Sequence, residues 1–316
     1  MTRVFEIITR YFFIWTILAG ILAVLWPPLF TWFSGALIPL GLGFIMLGMG
    51  ITLAPADFAR VLKTPAGVLA GVLLQYTVMP ALGWFMAWAW GLPGPYAVGL
   101  ILTASCPGGT ASNVITFLAR ANLGLSVTMT AISTLLAVFL TPLLTGTLAG
   151  NRMEVNVLGL FLTTFKVVIL PVAIGVFLNR YAPRFAAKVQ PAAPAVATIL
   201  IILIVGSVLG KSWNNLWQGP DQAAVYRLLA AVLFTHLGGF VFGYLLGKIL
   251  LREENSARTT SIEVGMQNSG LSVELARSNF AANPLVMVPG AISAICHCIL
   301  GSLAAAYWRN KTKVDS

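Results

Sequence analysis

Charge is what this chain has least of. Asp, Glu, Lys and Arg make up 9% of its 316 residues, against about a quarter in a soluble globular domain. It has nine carboxylates, two histidines and three cysteines. With 58% hydrophobic residues and a mean hydropathy of +0.89, such scarcity excludes a water-soluble protein and a disordered chain. Three cysteines exclude a disulfide scaffold. The net charge of +10 invites a nucleic-acid reading, but the basic residues flank apolar runs and form no stripe. No nucleic-acid partner is expected. The composition describes an all-α polytopic membrane protein.

A membrane-crossing helix needs about 20 mostly apolar residues. Ten such runs are present, at about Ile8–Trp26, Phe33–Leu53, Gly67–Trp90, Ala97–Leu118, Leu123–Leu148, Val155–Leu178, Ala195–Gly210, Val225–Leu250, Thr259–Ala276 and Leu285–Trp308. They lack the polar–apolar alternation of a membrane barrel. Within the sixth, Val155–Phe165 reads as a partly interfacial helix with Lys166 snorkelling to a headgroup. The first run has a basic start but no small-residue cleavage site, so it is expected to stay as an anchor. With ten spans, 14 of the 19 Lys and Arg residues, Arg3, Arg10, Arg60 and Lys63 among them, fall on the side of the two termini. Positive residues favour the cytoplasm, so both termini are placed there. Cys106, Cys296 and Cys298 fall inside spans and read as small buried residues.

Two segments align without gaps at an offset of 157, Thr103–Asn122 and Thr260–Asn279. They share Thr103/Thr260, Gly108/Gly265, Ser112/Ser269 and a Leu-Ala-Arg-x-Asn ending. Ala131-Ile-Ser133 recurs as Ala291-Ile-Ser293. The offset corresponds to five spans, an odd number, so the second copy is inverted in the bilayer. Residues 1–150 and 151–316 are the expected halves. Inverted repeats with interrupted helices are the mark of secondary transporters. Both copies look interrupted, the fourth span by Pro107-Gly-Gly109 and the ninth by the polar run between Gly265 and Gly270. Non-helical backbone at membrane depth survives only when packed in protein or lining a cavity, so the two breaks are expected to face each other.

Seven of the nine carboxylates lie in termini, loops or span edges. Glu274 is expected near the outer end of the ninth span, in solvent. Glu263 stands at the break of that span. A charge at the bilayer centre costs about 3 kcal/mol on insertion scales, and no Lys or Arg shares its depth, so a cation is the economical partner. Sodium prefers hard oxygen ligands. Gln75, Ser112, Asn113, Ser126, Thr130, Gln267 and carbonyls freed at the breaks could supply them. Ser126 and Thr130 are four apart, on one helix face. Thr110, Ala111 and Asn268 begin the second half-helices, whose positive dipole ends favour an anion. His297 sits at midplane depth and could bond a substrate oxygen; packing serves equally well to explain it. His236 reads as structural.

Gly108-Gly-Thr-Ala-Ser-Asn113 and Ile262-Glu-Val-Gly-Met-Gln-Asn-Ser-Gly-Leu271 resemble the signatures of the bile acid:sodium symporter family, and the likeness covers essentially the whole chain. The resemblance implies a panel domain from spans 1, 2, 6 and 7, a core domain from spans 3–5 and 8–10, and crossed broken helices at spans 4 and 9. It implies two sodium ions as coupling ions and no other cofactor. One sodium maps onto Ser112, Asn113, Ser126, Thr130 and Glu263. The other maps onto Gln75, Glu263, Val264, Met266 and Gln267, with carbonyls contributing. Substrate contacts map to Thr110, Ala111, Asn268 and His297. The chain is similar to the bacterial homologues of the ileal bile acid transporter, some of which carry pantoate or ketopantoate. Family members often read His-Asn where this chain has His297-Cys298, which bears on the substrate and leaves the sodium residues intact.

The expectation is therefore a monomeric sodium symporter importing an organic anion across a bacterial inner membrane, in contact with its lipids. A related proton-coupled exporter, either of a metalloid such as arsenite with Cys106 as soft ligand or of an organic anion, is the alternative. An intramembrane enzyme using Glu263 and His297 as acid and base is a remote one, since the chain carries no metal or nucleophile motif.

Overall fold

The computed structural model describes residues 5, 7–9, 11–53, 65–217 and 222–314. Arg3, Arg10, Arg60 and Lys63, on which part of the orientation argument rests, lie outside them, as do Glu6, Asp57, Asp221, Asp315 and the side chains of Lys311 and Lys313.

All regular structure among the described residues is helical. In chain order the principal helices are α1 (Phe12–Leu25), α2 (Leu37–Thr52), α3 (Pro65–Ala89), α4 (Gly94–Ala104), α5 (Ala111–Leu118) and α6 (Leu123–Ala149). Then come α7 (Val157–Tyr181), α8 (Ala193–Trp217), α9 (Gln222–Leu251), α10 (Glu254–Gly265), α11 (Ser269–Asn279) and α12 (Val288–Val314). Six of these, α3, α6, α7, α8, α9 and α12, are long and apolar enough to cross a membrane. The 14 residues of α1 and 16 of α2 rise about 21 and 24 Å, short of a hydrocarbon core about 30 Å thick. The fourth and ninth apolar runs each form two half-helices, α4 with α5 and α10 with α11.

The sixth run differs from its sequence reading. Val155–Phe165 does not form a separate interfacial helix; α7 continues through it to Tyr181. A π-helical turn at Phe165–Ile169 precedes Pro171. Proline has no N–H for the carbonyl four residues earlier and its ring crowds that carbonyl; the wider turn accommodates both. Lys166 lies on that turn with its side chain exposed.

Packing follows the small residues. A Cβ on Gly175 would stand 2.7 Å from the Ile51 nitrogen and one on Gly50 3.0 Å from the Gly175 Cα, so α2 and α7 touch backbone to backbone. α1 packs on α8, α2 on α7 and α8, α3 on α4, α6 and α9, and α9 on α10 and α12. α12 also meets α4, α5 and α11, which holds the two broken pairs from one side.

Candidate functional site at the helix crossover

The site is built where the two breaks meet. Gly109 N–H donates to the Met266 carbonyl at 2.9 Å and Asn268 N–H to the Pro107 carbonyl at 2.8 Å, a one-rung antiparallel bridge centred on Gly108 and Gln267. This bridge uses backbone groups that the helix ends leave without intrahelical partners. Glycine is required at position 109, where the obstacle is backbone, and fits at 108, where it is a side chain. A Cβ on Gly109 would sit 2.7 Å from the Gln267 carbonyl oxygen, and one on Gly108 2.8 Å from Glu263 Oε2.

Glu263, 1% exposed, ends the first half of this broken pair one turn before the crossing. Its carboxylate is ringed by hydroxyls. Ser112 Oγ donates to Oε1 at 2.5 Å, Ser126 Oγ donates to the same oxygen, and Thr130 Oγ1 donates to Oε2 at 2.8 Å. Ser126 Oγ also lies 2.9 Å from Asn113 Oδ1, and Thr130 Oγ1 3.0 Å from the Ser126 carbonyl. Each hydroxyl has one proton. Three protons therefore face two carboxylate oxygens, an amide oxygen and a carbonyl, and no Lys or Arg among the described residues pairs with Glu263. The cluster is rich in acceptors and short of positive charge.

Beside it runs a chain of amides. Gln75 Nε2 donates to the Cys106 carbonyl at 3.0 Å and to Gln267 Oε1 at 2.8 Å; Gln267 Nε2 donates to the Val264 carbonyl at 2.9 Å. Gln75 Oε1 is buried with no hydrogen-bond partner among the described residues. Val264 and Met266 offer only carbonyls here, since their side chains pack into apolar clusters.

The residues expected to contact substrate gather at one place. Thr110, Ala111, Asn268 and His297 line a small recess of about 20 Å³. Thr110 and Ala111, with Ile45 and Ile201, also line a cavity of about 250 Å³ that reaches Thr52, Leu53 and Thr198. Asn268 caps α11 by accepting from Leu271 N–H at 3.1 Å, while its Nδ2 is buried without a partner among the described residues. His297 Nε2 lies 3.1 Å from Ser269 Oγ.

One sequence reading changes here. Glu274 is not solvated: it is 1% exposed, paired with Arg277 through contacts of 2.7 and 2.8 Å, and accepts from Ser278 Oγ at 2.6 Å. The helix spacing i, i+3 brings the cation over the carboxylate, so burial does not strand the charge. His236 is structural, as expected, and has a definite partner. Its Nδ1 lies 2.8 Å from the Gly265 carbonyl, an acceptor that the end of α10 leaves open, so the ring nitrogen is the donor. Its ring stands edge-on to His297 at 5.3 Å. Sequence reasoning also missed the contact of Thr103 with Ser272 at 2.6 Å, which ties α4 to α11. Hydroxyls at membrane depth were the only available signal. Cys106, Cys296 and Cys298 are free thiols.

Comparison with known proteins gives the family. Residues 39–218 match the model of the Sodium Bile acid symporter family. The chain is 44% identical over 304 residues to the probable sodium/metabolite cotransporter BASS1, chloroplastic, of Arabidopsis thaliana, an alignment covering 96% of this chain and 74% of the relative. It is 41% identical over 303 residues to the sodium-dependent transporter YocS of Bacillus subtilis, covering 96% and 92%. The chain belongs to the sodium bile acid symporter family and is a transporter rather than an enzyme.

Proposed function

We propose that the protein imports a small organic anion together with two sodium ions by alternating access, across a bacterial cytoplasmic membrane with both termini inside. The observation that carries this reading is the excess of oxygen acceptors around Glu263. One sodium would take the oxygens of Ser112, Asn113, Ser126, Thr130 and Glu263. The second would take the unpartnered Gln75 Oε1 with Glu263, Gln267 and the carbonyls of Val264 and Met266. The names of the plant and bacterial relatives, sodium/metabolite cotransporter and sodium-dependent transporter, support sodium over protons.

The anion would enter the cavity of about 250 Å³ and reach the recess that shares Thr110 and Ala111 with it, accepting hydrogen bonds from Asn268 Nδ2, Thr110, His297 and the amides at the start of α5, beginning with Ala111. Pockets that hold drug-sized ligands run to about 300–1,000 Å³, so a cavity of about 250 Å³ suits an anion the size of pantoate or ketopantoate better than a bile acid. The pairing of helices supports inverted halves: exchanging the first five spans with the second five turns the α1–α8 packing into α7–α2, and α3–α6 into α9–α12. The metalloid reading has less support, because Cys106 sits in the apolar core and meets the polar site through its carbonyl.

Energetically the coupling suffices. Two sodium ions moving down a tenfold gradient release about 2.8 kcal/mol, and one net positive charge at 100 mV adds about 2.3 kcal/mol, enough for accumulation of several thousandfold. The test is uptake of labelled pantoate into proteoliposomes under an inward sodium gradient. Uptake driven by sodium, absent with potassium and lost in Glu263→Ala, is expected. Uptake that follows a proton gradient and ignores sodium would overturn the reading.

A further inference from the structure

A second cavity lies on the seam between α1 and α12, away from the crossover. It has a volume of about 390 Å³ and apolar walls of Phe13, Ile17, Leu118, Ile299, Leu303 and Ala306. From Ile299 to Arg309 the groove follows α12 for about 15 Å, at 1.5 Å per residue. One end carries Arg309 and Tyr11. Arg309 is half-buried, and no carboxylate among the described residues pairs with it. Between the apolar walls Ser302 offers a buried hydroxyl with no partner among the described residues.

We propose that this groove is a binding site for one anionic phospholipid, with an acyl chain along α12 and the headgroup at Arg309. The groove lies on a helix apolar and long enough to cross the membrane, where lipid is the surrounding medium. Filling it with a chain gives no selectivity, because bulk lipid tails are as apolar as the walls. Selectivity comes from the polar end, and a cation without a carboxylate favours a negative headgroup; basic pockets between membrane helices bind such headgroups. Because α1 and α12 also pack directly on each other, a lipid here braces the contact between them. This site is independent of the sodium reading, and its failure would leave that reading untouched.

The experiment is native mass spectrometry of the full chain, delipidated and then given equal amounts of phosphatidylglycerol and phosphatidylcholine, with thermal unfolding measured on the same samples. Wild type is expected to retain phosphatidylglycerol at least tenfold over phosphatidylcholine and to unfold at higher temperature with it. Arg309→Gln should abolish that preference and Arg309→Lys restore most of it. Ala306→Trp, which fills the groove, should lose retention of both lipids; a cooperative thermal unfolding transition of that variant at the temperature of delipidated wild type shows that it has folded. Equal retention of the two lipids by wild type, or a phosphatidylglycerol preference that survives Arg309→Gln, overturns the proposal. So does a change of oligomeric state in Ala306→Trp with lipid retention intact, which would make the groove a self-association face.

Discussion

Replacing Glu263 by Gln removes the charge from the crossover while keeping the shape of the side chain, and the hydrogen-bond inventory says what should follow. Three hydroxyls bond the carboxylate. Bonds to a charged group contribute about 1.5–3 kcal/mol each, so together they offset most of a desolvation cost of several kcal/mol. Without sodium, wild type and Glu263→Gln should therefore have similar stability. With sodium they part. Binding to the folded state alone contributes about 2.7 kcal/mol at a concentration one hundred times Kd. At roughly 2 °C per kcal/mol for a chain of this size, wild type should melt about 5 °C higher in sodium than in potassium at equal ionic strength. The nine tryptophans report unfolding directly. Glu263→Gln should show no difference between the two salts. A wild type indifferent to sodium, or a variant with the full shift, would refute the assignment of the carboxylate as the cation's anchor.

Other substitutions separate the parts of the site. Gly108→Ala places a methyl group 2.8 Å from Glu263 Oε2; overpacking of this kind costs about 1–3 kcal/mol, and the melting temperature should fall together with the sodium response, whereas an unaltered response would show the carboxylate free to retreat. Arg277→Ala leaves the buried Glu274 without its cation and should cost about 3 kcal/mol, measured by thermal unfolding, with the sodium shift retained; an unchanged melting temperature would mean the pair contributes nothing. Cys106→Ala keeps the carbonyl that accepts from Gln75, so sodium-dependent stabilisation should persist at a stability cost of about 1 kcal/mol for the lost sulfur. Its disappearance would revive the thiol as a ligand.

Much of the site was legible because it depends on residue types that do not belong at membrane depth. Glu263 has no inexpensive place in a bilayer, and Pro107, Gly108 and Gly109 cannot continue a helix there without a reason, so both features point to the crossover before any geometry is known. The hydroxyls of Ser112, Ser126 and Thr130 are ordinary in membrane helices; Ser112 lies in the repeated segment and Ser126 and Thr130 stand four apart on one helix face, and the structure brings all three onto one carboxylate. Glu274 was misread because its side chain is buried by neighbours from other helices, which a single apolar run does not reveal. His236 is structural, as its sequence reading has it, but its partner was not legible: the open carbonyl it serves, Gly265, belongs to α10, 29 residues along the chain. The continuous α7 was obscured by Lys166, whose exposed position on a π-helical turn makes an apparent boundary in a helix that does not end.

The two copies of the motif also differ where chemistry would demand it. At the offset of 157, Glu263 falls opposite Cys106, Ser112 opposite Ser269, and Asn113 opposite Gly270. A second carboxylate at the position of Cys106 would put two negative charges on one crossover, and each would need its own counter-charge at bilayer depth. Cys106 avoids that repulsion and still supplies a carbonyl to Gln75. Gly270 removes the amide that Asn113 presents to Ser126, and Ser269 turns instead to His297. One break is thus equipped with the negative charge, the other with Ser112 and Asn113, and α6 adds Ser126 and Thr130, so neither half-helix pair has a complete oxygen cage alone. A cation at Glu263 would be held by α5, α6 and α10 together, and its departure would loosen the contact between the first broken pair and the second. That dependence is what an alternating-access transporter needs from its coupling ion: binding that is worth more when the crossover is assembled than when it is not.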